Sequence, residues 1–286
     1  MRYFDRFKVP EGSVLSLGDH DPDDTLDLGK SQSKKLLAEE KARLAALQYR
    51  LYAEGKRALL ACLQGADASG KDGTIRHIFS GINPQGCRVQ SFKEPTGHEL
   101  DHDFLWRVHM WAPERGQITV FNRSHYEDVL IVRVRELVPE ETWRGRYSLI
   151  NCFERMLADR GTKTLKFFLH ISKEEQLRRF ERRLKDPSRH WKISDADYAE
   201  RLYWDQYTLA FEDALTRCST ETAPWFVIPA NNKWARNVII ARILREAMED
   251  MDPQLPEPTV DLKEIKKRYH KARRAEKEGQ GKSAAD

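Results

Sequence analysis

Residues 58–63, Ala-Leu-Leu-Ala-Cys-Leu, run almost directly into Gly65-Ala66-Asp67-Ala68-Ser69-Gly70-Lys71-Asp72-Gly73, and this junction constrains the fold more than any other feature. A short apolar run, two glycines five residues apart, and then Ile75, Ile78, Phe79 and Ile82 read as buried strand, tight loop and amphipathic helix, in that order. The spacing G-x-x-x-x-G-K is that of a phosphate-binding loop. Its glycines let successive N–H groups turn inward, the helix N-terminus adds partial positive charge, and Lys71 supplies a mobile cation. The position after the lysine, normally Ser or Thr, is Asp72, and a second carboxylate, Asp67, sits inside the loop. Carboxylates facing phosphates repel them unless a divalent cation lies between, so the pair points to a site that collects hard cations for a strongly anionic substrate.

Further apolar runs at 88–92, 118–121, 165–170 and 225–228 read as strands separated by helical stretches. Helices are expected to start near Gly70, Thr96, Ser124, Ser172 and Lys233, with others after Glu141 and Ser194; residues 129–134 fit helix or strand. The fold expected is α/β: a P-loop kinase-like three-layer sandwich on a five-stranded parallel sheet. Residues 1–54 form an N-terminal extension with a helix over 34–54, residues 55–250 the kinase domain with a helical lid at about 173–195, and residues 251–286 a basic tail, disordered or a frayed helix.

Net charge excludes less than it suggests. The chain carries 49 Lys and Arg against 45 Asp and Glu, but residues 262–286 alone hold nine and four, so the rest is close to neutral and not a basic nucleic-acid-binding body. With mean hydropathy −0.71 and no long apolar run, no membrane span or secretory signal is expected, and the cytoplasm is the expected compartment. Cys62, Cys87, Cys152 and Cys218 form no Cys-x-x-Cys pair and read as free thiols. The acidic cluster Asp19, Asp21, Asp23, Asp24 and Asp27 reads as a solvated loop.

Beyond the loop, Asn122 ends the third run, where a P-loop enzyme usually carries a second metal-binding acid, and Arg123 follows beside the phosphate loop. Ser124 with Glu127 spells a capping box, as do Thr96 with Glu99 and Ser172 with Glu175. The last opens a helix with Leu177, Phe180 and Leu184 on one side and Arg178, Arg179, Arg182 and Arg183 around them, suited to a lid that covers transferring phosphates. A competing motif, His98-Glu99-Leu100-Asp101-His102, matches the H-E-x-x-H of zinc hydrolases, although His109 misses the third-ligand spacing. An ATP-dependent small-molecule kinase would share the P-loop.

The loop at 65–73, the stretch Phe121-Asn-Arg-Ser-His-Tyr-Glu-Asp-Val-Leu130, and the segment from Arg182-Arg183 through Asp186-Pro187 to Trp191-Lys192 resemble signatures of the polyphosphate kinase 2 family, class III, over roughly residues 15–250. The resemblance implies transfer of the terminal phosphoryl group of inorganic polyphosphate to AMP and ADP, giving ADP and ATP, with Mg²⁺ or Mn²⁺ and a homo-oligomeric assembly. Asn122 agrees with class III, where other classes carry aspartate. On this reading Asp67, Lys71, Arg123, Arg178, Arg182 and Arg183 are catalytic, and Asp67 and Asp72 hold metal. Gly65, Ala68, Ser69, Gly70, Asp72, Gly73, Asn122 and Glu127 bind phosphate or nucleotide, with Lys93, Arg107 and Arg133 lining the polyphosphate track or nucleotide pocket.

Overall fold

Five short runs flanked by turn residues become strands, and the inner ones are largely apolar on both faces, the mark of strands buried between helical layers, whereas the edge strand Cys87–Ser91 is partly exposed. The computed structural model describes residues 1–283. In chain order the elements are α1 (Tyr3–Phe7), α2 (Lys30–Glu54), β1 (Ala58–Gln64), α3 (Lys71–Phe79), β2 (Cys87–Ser91), α4 (Gly97–Leu100), α5 (Trp106–His109), β3 (Ile118–Asn122), α6 (Ile131–Val134), α7 (Glu140–Asp159), β4 (Thr162–His170), α8 (Lys173–Leu184), α9 (Asp195–Arg201), α10 (Trp204–Cys218), β5 (Trp225–Pro229), α11 (Lys233–Met251) and α12 (Leu262–Ser283). The strands form one parallel sheet in the order β2-β3-β1-β4-β5.

Strand alternation divides the core. Leu59, Ala61 and Leu63 of β1, with Leu165, Phe167 and Leu169 of β4, pack on the side of α2 and α11, where Leu44, Leu51, Ile239 and Ile243 meet them. On the opposite face Phe168, Trp225 and Val227 pack with Tyr147 and Ile150 of α7 and Phe211 and Leu215 of α10. Helices therefore cover both faces of the sheet, the expected three-layer α/β fold. The chain passes from β1 to β2 and returns to β3 beside β1, so the order reverses at β1. That reversal opens a crevice beyond the carboxyl ends of β1 and β3, the usual ligand position in such sheets. Pairing of Leu63 with Asn122 puts the loop after β1 next to the turn after β3.

Residues 1–254 form one compact unit, and α2 contributes Leu44 and Leu51 to its core instead of standing apart as an extension. Among the described residues, those from 255 onward form a second unit. In it Leu262–Ser283 is helical where disorder was one of two expected forms. The Asp261 carboxylate accepts from the Lys263 N–H at 2.8 Å and so caps the first turn, a start signal hidden among the charges. Residues 129–134 resolve as helix, with a 3₁₀ turn over His125–Val129 followed by α6. Among the described residues no helix is long and apolar enough to cross a membrane.

Candidate active site

The loop after β1 owes its shape to two glycines and two arginines. Gly65 has φ +144°, and a Cβ there would lie 2.8 Å from the Leu169 carbonyl oxygen; Gly70 has φ +104°, and a Cβ would lie 2.2 Å from Arg236 Nη1. Neither position tolerates a side chain. Arg179 Nη1 donates to the carbonyls of Ala68 (2.9 Å) and Ser69 (2.6 Å), and Arg236 Nη1 to that of Ser69 (3.1 Å). With the Ser69 carbonyl turned outward onto these buried guanidinium groups, the N–H of the same trans peptide, that of Gly70, faces the other way, into the loop. No side chain caps α3, so its first-turn N–H groups, including that of Gly73, are open to an anion. Gly70→Ala should therefore cost at least about 1 kcal/mol in stability as well as most of the activity. Thermal melting and turnover of the variant read both, and unchanged values would contradict this geometry.

Lys71 is buried, and its Nζ donates to the carbonyls of Gly65 (2.7 Å) and Ala66 (3.3 Å). Burial and then Arg123 push its pKa down, against Asp67, Glu127 and Asp72, which push it up. Arg123 adopts φ +61°, rare for a residue with a side chain, and its Nη2 donates to Asp67 Oδ1 at 2.8 Å, with Glu127 at 4.0 Å from Nη1. Asp72 accepts from Asn122 Nδ2 (2.9 Å) and Lys192 Nζ (3.0 Å). Burial tends to raise the Asp72 pKa, but these two donors hold it below the usual carboxylate range. Asp67, Lys71, Asp72, Asn122, Arg123 and Glu127 thus come together around one loop.

Two capping boxes differ from expectation. The Ser124 hydroxyl caps Tyr126 at the start of a 3₁₀ turn, which leaves the Glu127 side chain to face Arg123. Ser172 accepts from the Glu175 N–H, but the Glu175 carboxylate turns away to gather Arg178, Arg179 and Arg182. Burial tends to raise the Glu175 pKa, yet these three cations hold it below its ordinary value. The four arginines of α8 therefore separate by task. Arg178 and Arg182 are half-exposed on Glu175, Arg179 is buried on the loop carbonyls, and Arg183 donates to the Lys192 carbonyl (3.1 Å) and Asp197 (3.3 Å), tying α8 to the segment after it. Lys233, which opens α11, has its pKa pushed down to about 8 by partial burial and by Arg179, Arg182, Arg236 and Arg189, a concentration of positive charge on the outer side of the loop.

Other expectations need correction. The stripe Leu177, Phe180 and Leu184 is not a buried face, because only Phe180 is enclosed; α8 buries Glu175, Gln176 and Arg179 instead. Arg133 is held away from the loop's own contacts by a partner of its own. It pairs with Asp213 at 2.5 Å and lies over Trp143, joining α6 to α10 and α7. Arg107 is buried against Phe92 and donates to the Lys93 carbonyl (2.9 Å), shaping the segment after β2, while the Lys93 residue itself is exposed. The H-E-x-x-H motif lacks its helix: α4 ends at Leu100, Glu99 closes the capping box with Thr96, and His102 stacks on Trp106. Sequence reasoning missed Arg179 as a loop anchor, Arg236 altogether, and Gln176, whose Nε2 donates to the Asp67 carbonyl at 3.1 Å.

Known proteins resemble this chain in sequence and in fold. The family model described as Polyphosphate kinase 2 matches residues 27–256. An AMP/ADP-polyphosphate phosphotransferase of Meiothermus ruber is 49% identical over 262 residues, covering 91% of this chain and 98% of that protein. An ADP-polyphosphate phosphotransferase of Rhodopseudomonas palustris is 45% identical, covering 89% and 92% respectively. The crystal structure of polyphosphate kinase 2 from Arthrobacter aurescens TC1 superposes with a TM-score of 0.92 at 40% identity, over 95% of this chain and 97% of that one.

Proposed function

This chain belongs to the polyphosphate kinase 2 family, and we propose that it transfers the terminal phosphoryl group of inorganic polyphosphate to AMP and to ADP, giving ADP and ATP. One observation carries the reading of the site: the glycine loop, Lys71 and the Arg123–Asp67 pair meet at the carboxyl ends of β1 and β3. An acceptor phosphate oxygen is already anionic, so the reaction needs no strong base; the obstacle is bringing two polyanions together. The amides at 70–73 and Lys71 receive the transferring phosphoryl group, and Arg123 spreads its developing charge. Arg178 and Arg182 leave Glu175 for the donor chain as the lid closes, while Arg179 and Arg236 stay on the loop and fix its shape.

A divalent cation, Mg²⁺ or Mn²⁺, suits the donors present. Asp67 and Asp72 offer two hard oxygen ligands beside the loop, a supply typical of ions that complete their shell with substrate phosphates and water. An ion held there would supply positive charge against the approaching phosphates.

Acceptance of AMP as well as ADP, the class III behaviour, is supported by Asn122 and by the name of the Meiothermus relative. A time course with polyphosphate, Mg²⁺ and AMP should give ADP first and ATP after it. ATP from ADP with no ADP from AMP would restrict the acceptor to the diphosphate. Arg183→Ala should lower turnover about tenfold or more, because the segment reaching to Lys192 loses its tether, while the melting temperature moves by a few degrees at most. Early melting with full specific activity would remove the lid reading. Leu149, Cys152 and Met156 line one exposed face of α7, which supports assembly as a homo-oligomer, measurable by light scattering. Four free cysteines favour a reducing compartment, the cytoplasm.

A further inference from the structure

Beneath the turn that carries Arg123 lies a charged cluster that the chemistry above does not use. Lys166, in the middle of β4, is fully buried, and its Nζ donates to Glu154 Oε2 (2.6 Å), Tyr126 Oη (2.9 Å) and the Cys218 carbonyl (2.5 Å). Glu154 of α7 is equally enclosed. Its Oε1 also accepts from Tyr126 Oη (3.0 Å) and lies 3.1 Å from His125 Nε2. An ion pair buried in this way stabilises a fold no better than well-packed apolar side chains would, and the neighbours here are apolar: Phe168, Trp225, Ile150 and Phe153. Stability alone does not explain a lysine inside this strand.

Position does. His125 and Tyr126 lie two and three residues after Arg123, whose left-handed backbone persists only where its surroundings over-determine it. From the other side, Ser124 Oγ accepts from Gln64 Nε2 at 3.2 Å, so β1 fixes the turn at Ser124 while the Glu154 carboxylate fixes it at His125 and Tyr126. We propose that Glu154, held by Lys166, is a positioning residue that clamps His125 and Tyr126 and so keeps Arg123 turned onto Asp67. The inference rests on the reading of Arg123 as the cation that meets the transferring phosphoryl group.

The test removes both charges at once, so that neither is left buried alone. Glu154→Leu with Lys166→Met leaves the buried Tyr126 and His125 side chains without their acceptor, so it should melt below the wild type; where it is still folded it should lose at least about tenfold in kcat, with KM for ADP and polyphosphate within about twofold. Glu154→Gln with Lys166→Met keeps an acceptor for Tyr126 and His125 without the ion pair, and should recover kcat to within about threefold of wild type. In an Arg123→Ala background the Leu/Met pair should have no further effect, because the group it positions is gone. A folded Leu/Met pair with wild-type kcat would overturn the inference, as would a Gln/Met pair no better than Leu/Met, or full additivity with Arg123→Ala. If the Leu/Met pair does not fold, Tyr126→Phe decides: a fall in kcat of at least about threefold supports the clamp, and wild-type kcat overturns it. Arg123→Ala measured alone separates the two levels, since wild-type turnover there would remove the underlying reading of Arg123 itself.

Discussion

Lys71→Ala is expected to fold and to make ATP from ADP and polyphosphate at least about a hundredfold more slowly than the wild type. The ammonium now rests on the carbonyls of Gly65 and Ala66, contacts that a phosphate oxygen replaces when substrate enters the loop. In the transition state its charge is needed where negative charge is spread over the transferring oxygens, beside that of Arg123 on Asp67. Folding should suffer little. The loop keeps its anchors, Arg179 and Arg236 on the Ala68 and Ser69 carbonyls, and losing the two hydrogen bonds of Lys71 costs about 1–2 kcal/mol. A melting curve beside an initial-rate assay separates the two effects. Near-normal turnover would remove the phosphate-loop assignment.

Asp67→Asn should be almost as damaging, for two reasons that one variant can separate. The amide keeps the size and an acceptor for Arg123 Nη2 but removes the negative charge, which both orients the guanidinium and offers an oxygen ligand to a divalent cation. The pair is partly exposed, so its loss costs no more than about 1 kcal/mol of stability. Turnover is expected to fall roughly a hundredfold or more. If metal binding dominates, rising Mg²⁺ restores part of the rate; if orientation of Arg123 dominates, it restores none. Wild-type turnover at ordinary Mg²⁺ would eliminate both roles.

The strands and the phosphate loop were legible because their signals are local. An apolar run, a glycine and a helical repeat lie within twenty residues, and β1, β2 and β3 begin or end within a residue of the expected limits. Asn122 and Arg123 were legible for the same reason, since a strand end beside a phosphate loop is a position as well as a residue type. The groups that hold the site in shape were not. Arg179 reaches back 110 residues to the Ser69 carbonyl and Arg236 reaches back 167, and contacts of that kind leave no periodic trace. A weaker signal was present: Arg236 among Ala235, Val238 and Ile239, and Lys166 between Leu165 and Phe167, are charges inside apolar patterns, where burial requires a partner. Helix α8 departs from the expected apolar face because Leu177 and Leu184 look outward and a buried arginine, Arg179, occupies the inner side. The Asp213 partner of Arg133, eighty residues on, is equally invisible to spacing.

The most direct test of the account is the donor. The protein incubated with ADP, Mg²⁺ and polyphosphate, with no other phosphoryl donor, should form ATP with one phosphate lost from polyphosphate for each ATP gained. The Lys71→Ala variant should not, and omission of polyphosphate should abolish ATP beyond any that two ADP could yield with matching AMP. ATP formed at the same rate without polyphosphate, or by the Lys71→Ala variant, would contradict it.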